Sequence, residues 1–196
     1  ECSQRLGRVA SDAATLAAIE PRQWRSDADA PVLATHRFDA GTLVPQVAAP
    51  HSPANSGPVD QAAGAPIEIA YLGACTGAKL EDLRMAARVL RGRKVAPGVS
   101  LKVAPASLRD QQQAATEGTL GVLMDAGAEL LPNACNACAG YGATLFPAGS
   151  RAIASTARNF PGRMGDAGIA VWLASPMSVA ASAATGCITD PRTLLA

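Results

Sequence analysis

Between Ile67 and Leu90 the apolar pattern changes period within one short turn, and that change constrains the fold more than any other stretch of the chain. Ile67-Glu68-Ile69-Ala70-Tyr71-Leu72 has the length and composition of a buried or half-buried strand. Gly73-Ala74-Cys75-Thr76-Gly77 then makes a tight turn. Leu80, Leu83, Ala87 and Leu90 follow at helical spacing, with Glu81, Asp82 and Arg84 on other faces. The same alternation continues downstream. Leu101-Lys102-Val103 reads as a second strand, Ser107 with Asp110 as the capped start of a polar helix through Thr116, and Val122 to Ala126 as the opening of another helix. Glu129-Leu130-Leu131, Ile153 to Ser155 and Ile169 to Leu173 are strand candidates, and Pro176 opens an Ala-rich helix ending near Gly186. Alternating strands and helices predict an α/β fold with a largely parallel sheet. Ligands of such sheets gather at the carboxyl ends of strands, where Cys75 is expected.

The first third lacks this regularity. Leu6 to Ile19 suits a short helix stopped by Pro21, while Ser26-Asp27-Ala28-Asp29-Ala30 and the stretch 45–66 read as loops or linker. The expected organisation is an irregular N-terminal segment and linker over 1–66, from a preceding lobe, and one α/β lobe over 67–196. Glu1-Cys2-Ser3-Gln4-Arg5 has no initiator Met and no signal-peptide core, so the chain reads as a piece of something longer. Aromatics are only 4% and much of the apolar content is alanine, so the core must be built from Ala, Val, Leu and Ile. A net charge of +1 argues against a nucleic-acid binder, and no apolar stretch has membrane-spanning length. The basic run Arg91, Arg93, Lys94 fits a solvated helix end.

The five cysteines are unevenly spread. With nothing to suggest export, the default compartment is the reducing cytosol, where clustered thiols favour metal or redox chemistry over structural disulfides. Cys135 and Cys138 form a C-x-x-C pair among small residues, a spacing that redox dithiols, zinc sites and iron–sulfur sites all use. Cys75 shifts the balance. Three thiolates suit a [4Fe–4S] cluster with one iron left free to act as a Lewis acid, whereas structural zinc normally wants a fourth Cys or His. Cys2, Cys187, His36 and His51 lack ligand-like spacing to the pair, and small buried or loop positions account for them.

Several motifs, in order, then match a known family. Tyr71 to Arg84 resembles the first cluster-ligand motif of the isopropylmalate dehydratase and homoaconitase large subunits in the aconitase superfamily. Gly92 to Val99 is similar to the segment that follows it, and Asn133 to Gly142 to the C-x-x-C motif. Arg158-Asn159-Phe160-Pro161-Gly162-Arg163-Met164-Gly165 resembles the arginine-bearing substrate loop. Ala174-Ser175-Pro176-Met177 and Thr185-Gly186 resemble the closing helix, and Pro50 to Asn55 a further upstream motif. The similarity runs from about Ser26 to the end.

The resemblance implies a three-layer α/β/α lobe of the aconitase iron–sulfur type, and part of a hydro-lyase that dehydrates and rehydrates a hydroxy di- or tricarboxylate such as 3-isopropylmalate. Cys75, Cys135 and Cys138 would hold a [4Fe–4S] cluster. Arg158 and Arg163, which outside this motif read as surface charges, would grip substrate carboxylates. The acid–base groups would come from preceding lobes and from a small subunit or swivelling domain, so no catalytic residue is assigned here and the isolated chain is expected to be inactive. Three departures stand out: Gly77 where Asn is common after Cys-Thr, Asn133-Ala134 where Pro-Gly often precedes the pair, and Ala157 where Asn usually precedes the loop's first arginine. Two other readings stay open: a cysteine-coordinated zinc or redox module, and a decayed paralogue kept as an interaction surface.

Overall fold

The computed structural model of the chain describes residues 26–141 and 146–195. The helix expected over Leu6–Ile19, Cys2 and Gly142 lie outside the described residues. The backbone divides into two units, Glu1–Gly41 and Thr42–Ala196. In the first, the described residues include a turn in which the Ala30 N–H donates to the Asp27 carbonyl and a stacked His36–Phe38 ring pair.

The second unit holds the strands β1 (Gln46–Ala48), β2 (Ser56–Pro58) and β3 (Ile69–Gly73), helix α1 (Leu80–Leu90), and strand β4 (Ser100–Ala104). Helices α2 (Leu108–Thr116) and α3 (Thr119–Ala126), strands β5 (Glu129–Leu130), β6 (Arg151–Ala154) and β7 (Ala170–Ala174), and helix α4 (Pro176–Thr185) complete it. The strands form one sheet in the order β2-β1-β7-β6-β3-β4-β5. β3 pairs in parallel with β4, Ile69 to Ser100 through Gly73 to Ala104, and with β6, Ile69 to Ala152 through Tyr71 to Ala154. β4–β5 and β6–β7 are also parallel, while β1 is antiparallel to both β7 and β2. The result is a mixed, mostly parallel sheet flanked by helices, the α/β/α class expected.

Period-two alternation splits the core between the two faces of the sheet. Ala70 and Leu72 of β3, Leu101 and Val103 of β4 and Ile153 of β6 join one cluster with Leu83, Ala87 and Leu90 of α1, Leu120 and Leu123 of α3, and Val179 and Ala180 of α4. Ile69, Tyr71, Ala104, Ala152 and Ala154 point the other way, into a cluster with Leu131, Ala137, Cys138, Phe146 and Met164. Among the described residues this second face is covered by loops and the 3-10 turn Asn136–Ala139 rather than by a long helix.

Local signals explain where the elements begin and end. Ser107 caps α2 by accepting the Asp110 N–H at 3.1 Å, and Asp110 reaches across to the Leu80 N–H at the start of α1. Ser175 accepts the Ser178 N–H, Pro176 opens α4, and Gly186 closes it at φ 81°. The basic run after α1 is less solvated than its composition suggests. Arg93 donates to the carbonyls of Val89 and Leu194, and Lys94 to that of Asp125, so both cations neutralise helix C-termini. The stretch 45–66, read as loop or linker, contains two of the sheet's seven strands. Three-residue strands are too short to display alternation, and only pairing with β7 reveals them.

Two outcomes follow from this packing. Leu83 is fully buried between α1 and the sheet, so Leu83→Ala should cost about 2–5 kcal/mol in denaturant unfolding. Glu117, after α2, is hydrogen-bonded first by Arg84 of α1 and then by Thr119, which hold its carboxyl at about 2 against the usual 4.5. A depressed carboxyl stabilises the fold above its unfolded value and ceases to do so as pH falls through its folded one. The stability difference between the native chain and Glu117→Gln should therefore be constant above pH 4.5, shrink toward pH 2 and vanish below it. The pair is exposed, so the difference is small throughout.

Candidate metal centre

At the carboxyl ends of β3 and β4 the chain turns through its cysteine-bearing segments. Cys75 is exposed in the turn after β3, next to a cis Gly73–Ala74 peptide. Ala74 and Cys75 line a pocket of about 160 Å³ with Pro105 and Ala106, beyond β4, and with Asn133, Ala134 and Cys135. Cys75 and Cys135, sixty positions apart, thus share one pocket. Cys138 does not line it. It is buried against the second face of the sheet, one 3-10 turn along from Cys135, whose carbonyl accepts the Cys138 N–H at 3.0 Å.

The C-x-x-C segment is shaped by side chains that replace missing ladder bonds. Asn136 sits at φ 45°, which Asn tolerates, and its Nδ2 donates to the carbonyls of Pro132 and Ala134 at 2.8 and 3.0 Å. Asn133, at the departure from Pro-Gly, donates to the Pro105 carbonyl at 3.1 Å and fastens the segment to the loop after β4. Tyr71 runs from β3 across the Gly73 α-carbon, where a Cβ would overlap its ring, and its hydroxyl donates to the Cys135 carbonyl at 3.4 Å. Burial, and then the nearby Cys138 sulfur, push the Tyr71 phenol well above its ordinary pKa. Tyr141 is raised first by its hydrogen bond to the Cys135 side chain. Gly140, at φ 70°, packs on the arginine loop so closely that a Cβ would stand 2.8 Å from the Gly165 nitrogen.

The structure treats the two arginines differently. Arg158 is exposed and has no ion-pair or hydrogen-bond partner among the described residues. Arg163 lies over the Phe160 ring at 5.8 Å and directs Nη2 at the Cys138 sulfur, 3.7 Å away. Its Nε is buried without an acceptor, and Thr156 Oγ1 and Asn159 Oδ1 on the same loop are likewise buried and unpartnered among the described residues. Asn159 anchors the loop, donating from Nδ2 to the carbonyls of Ala49 and Val171 at 2.8 and 2.9 Å.

All the described cysteines are free thiols. Among the described residues no group of three or more His, Cys, Asp or Glu converges closely enough to hold a metal ion. Ligands of a single ion must meet at a point, whereas a cluster interposes its own iron and sulfide between thiolates. Three free thiols at one end of the sheet, with a buried guanidinium N–H lacking an acceptor, fit a negatively charged thiolate-bound group in number and chemistry. Cys187 is not part of this arrangement: it bridges to Pro66 at the amino end of β3 and touches Thr185 and Thr189. His51 is exposed in the turn after β1, at φ 130°.

The departure at Gly77 has a physical reason. A Cβ there would overlap the Ser155 carbonyl oxygen and lie 2.6 Å from the Ser155 Cβ and Oγ, so no side chain fits. Sequence reasoning missed Tyr71, Ser155, Asn136 and Asn159 as parts of the site. Asn136 carried a signal, being an Asn inside the C-x-x-C pair where the backbone must turn sharply. Tyr71 and Asn159 read only as parts of their motifs and Ser155 only as a strand end, because the bonds that give them their roles span long sequence separations.

The aconitase family (aconitate hydratase) profile matches residues 57–186. The chain is 40% identical over 200 residues to the 3-isopropylmalate dehydratase large subunit 1 of Pyrococcus furiosus, covering 98% of this chain and 47% of that protein. It is 42% identical over 199 residues to the large subunit of Oleidesulfovibrio alaskensis, covering 99% and 48% respectively. With the large subunit 1 of Methanopyrus kandleri it shares 41% over 201 residues, 100% of this chain and 48% of that one. The chain spans about half the length of these curated relatives. The profile takes in β2 through α4, with Cys75, the C-x-x-C pair and the arginine loop between them, and the chain belongs to the aconitase family.

Proposed function

We propose that this lobe is the cluster-bearing part of a [4Fe–4S]-dependent hydro-lyase acting on a hydroxy di- or tricarboxylate such as 3-isopropylmalate. The observation that carries the reading is the Arg163–Cys138 contact, which joins a guanidinium suited to carboxylates to one of the three thiols. Cys75, Cys135 and Cys138 are the proposed ligands. When bound, the cluster supplies a Lewis-acidic iron at the substrate hydroxyl.

The chain's own residues supply binding and orientation. Arg158, exposed on the loop after β6, is free to form a bidentate pair with a substrate carboxylate. Arg163 holds a second carboxylate beside the thiols, its rotamer restrained by Phe160. His51 is exposed in the turn after β1 and makes no hydrogen bond to a cysteine among the described residues. The acid–base groups are assigned, in this reading, to other lobes and to a small subunit or swivelling domain. Free thiols and an oxidation-sensitive centre suit a reducing compartment such as the cytosol.

Anaerobic reconstitution with iron and sulfide should give about four irons per chain and a broad brown absorbance, both lost in Cys135→Ser. A colourless chain with stoichiometric zinc would replace this reading with a cysteine-zinc module. A folded chain that takes up neither would leave a lobe retained only as an interaction surface. In the complete enzyme, Arg158→Lys should raise KM about 10–100-fold, because an ammonium cannot reproduce the planar two-point contact.

A further inference from the structure

Ser155 lies just beyond β6, 82 residues from the turn it touches, and is buried. Its own N–H extends the sheet by donating to the Tyr71 carbonyl at 3.1 Å. Its hydroxyl accepts the Gly73 N–H at 3.1 Å and donates to the Gly77 carbonyl at 2.7 Å. One hydroxyl with one proton thus satisfies a donor and an acceptor on either side of Cys75, two residues before it and two after. Gly77 completes the fit, since only a residue without a Cβ can approach the Ser155 carbonyl this closely.

The side chains flanking Cys75 do not supply this restraint among the described residues: Ala74 has no polar group, Thr76 is exposed, and the thiol itself is exposed in the pocket. The clamp also sets a register between two parts of the site, because Ser155 lies three residues before Arg158 on the same segment. Cys75 is therefore held relative to the arginine loop and not only relative to its own strand.

We infer that Ser155, with Gly77, is the positioning residue that fixes Cys75 for metal binding. The role rests on the proposed cluster reading, but the clamp is measurable without it. Backbone hydrogen exchange should show the Gly73 amide about tenfold faster in Ser155→Ala, with the Ile67 and Ile188 amides at the opposite end of β3 unchanged. After reconstitution, the visible absorbance of the same variant should decay about tenfold faster than in the native chain. Ser155→Thr, which keeps the hydroxyl, should restore both, and Gly77→Ala should reproduce both defects with Ser155 intact.

Equal acceleration of exchange at both ends of β3 would overturn the inference in favour of a general loss of stability. So would a loosened turn with an unchanged cluster lifetime. A native chain that takes up no cluster would instead overturn the metal reading, and the exchange comparison would then decide whether the clamp exists.

Discussion

Strand β3 has no free edge and no free face. β4 and β6 take its two rows of backbone groups, and all five of its residues are buried. A strand so enclosed can deliver the chain to its surroundings only at its ends. At the carboxyl end, the polypeptide must turn past the Ser155 segment before α1 can pack back on the sheet. Crowding there explains why the turn is built from Gly73, Ala74 and Gly77, and why the one sizeable side chain it presents to the pocket is Cys75. The Cys75 thiol is exposed because the backbone around it is not.

The two faces of the sheet divide the work. One carries α1, α3 and α4, whose alanines and valines pack closely and whose backbone groups are satisfied within the helices. The other is covered by irregular chain, which must find its hydrogen bonds elsewhere. Asn133, Asn136, Asn159 and Tyr71 provide them, each bonding a carbonyl that no ladder reaches. The thiols and arginines sit on this second side, among segments held by single side chains. Such segments admit small adjustments that a helix would resist, which suits a region whose thiols do not converge on one point among the described residues.

Much of the scaffold was legible in the sequence. The strand-turn-helix of 67–90 was visible as a change of period, and Ser107, Ser175, Pro176 and Gly186 marked helix ends through chemistry local to a few residues. What escaped was whatever depends on distant pairing. β1 and β2 are too short to show a pattern, and Asn159 and Ser155 act across 110 and 82 positions. Arg93 looked like solvated charge because its acceptor at Leu194 is 101 residues away. Gly77 could be noticed as unusual from sequence but explained only once the Ser155 carbonyl stood beside it. The thiols were named by motif, whereas their unequal settings, two in a pocket and one under the arginine loop, belong to the tertiary fold.

The double hydrogen bond from Asn159 has a consequence for how the lobe tolerates changes of length. Its Nδ2 takes one carbonyl just past the end of β1 and another within β7, so the alignment of these antiparallel neighbours is checked by a side chain as well as by the ladder. A residue added in the hairpin between Ala48 and Ser56 beyond Ala49 leaves that alignment alone. A residue added between Val47 and Ala49 moves the carbonyl out of reach and frees the loop carrying Arg158 and Arg163. The hairpin tip around Ser52–Asn55, where the Asn55 N–H donates to the Ser52 carbonyl, is therefore the place where the chain can change length without disturbing that alignment.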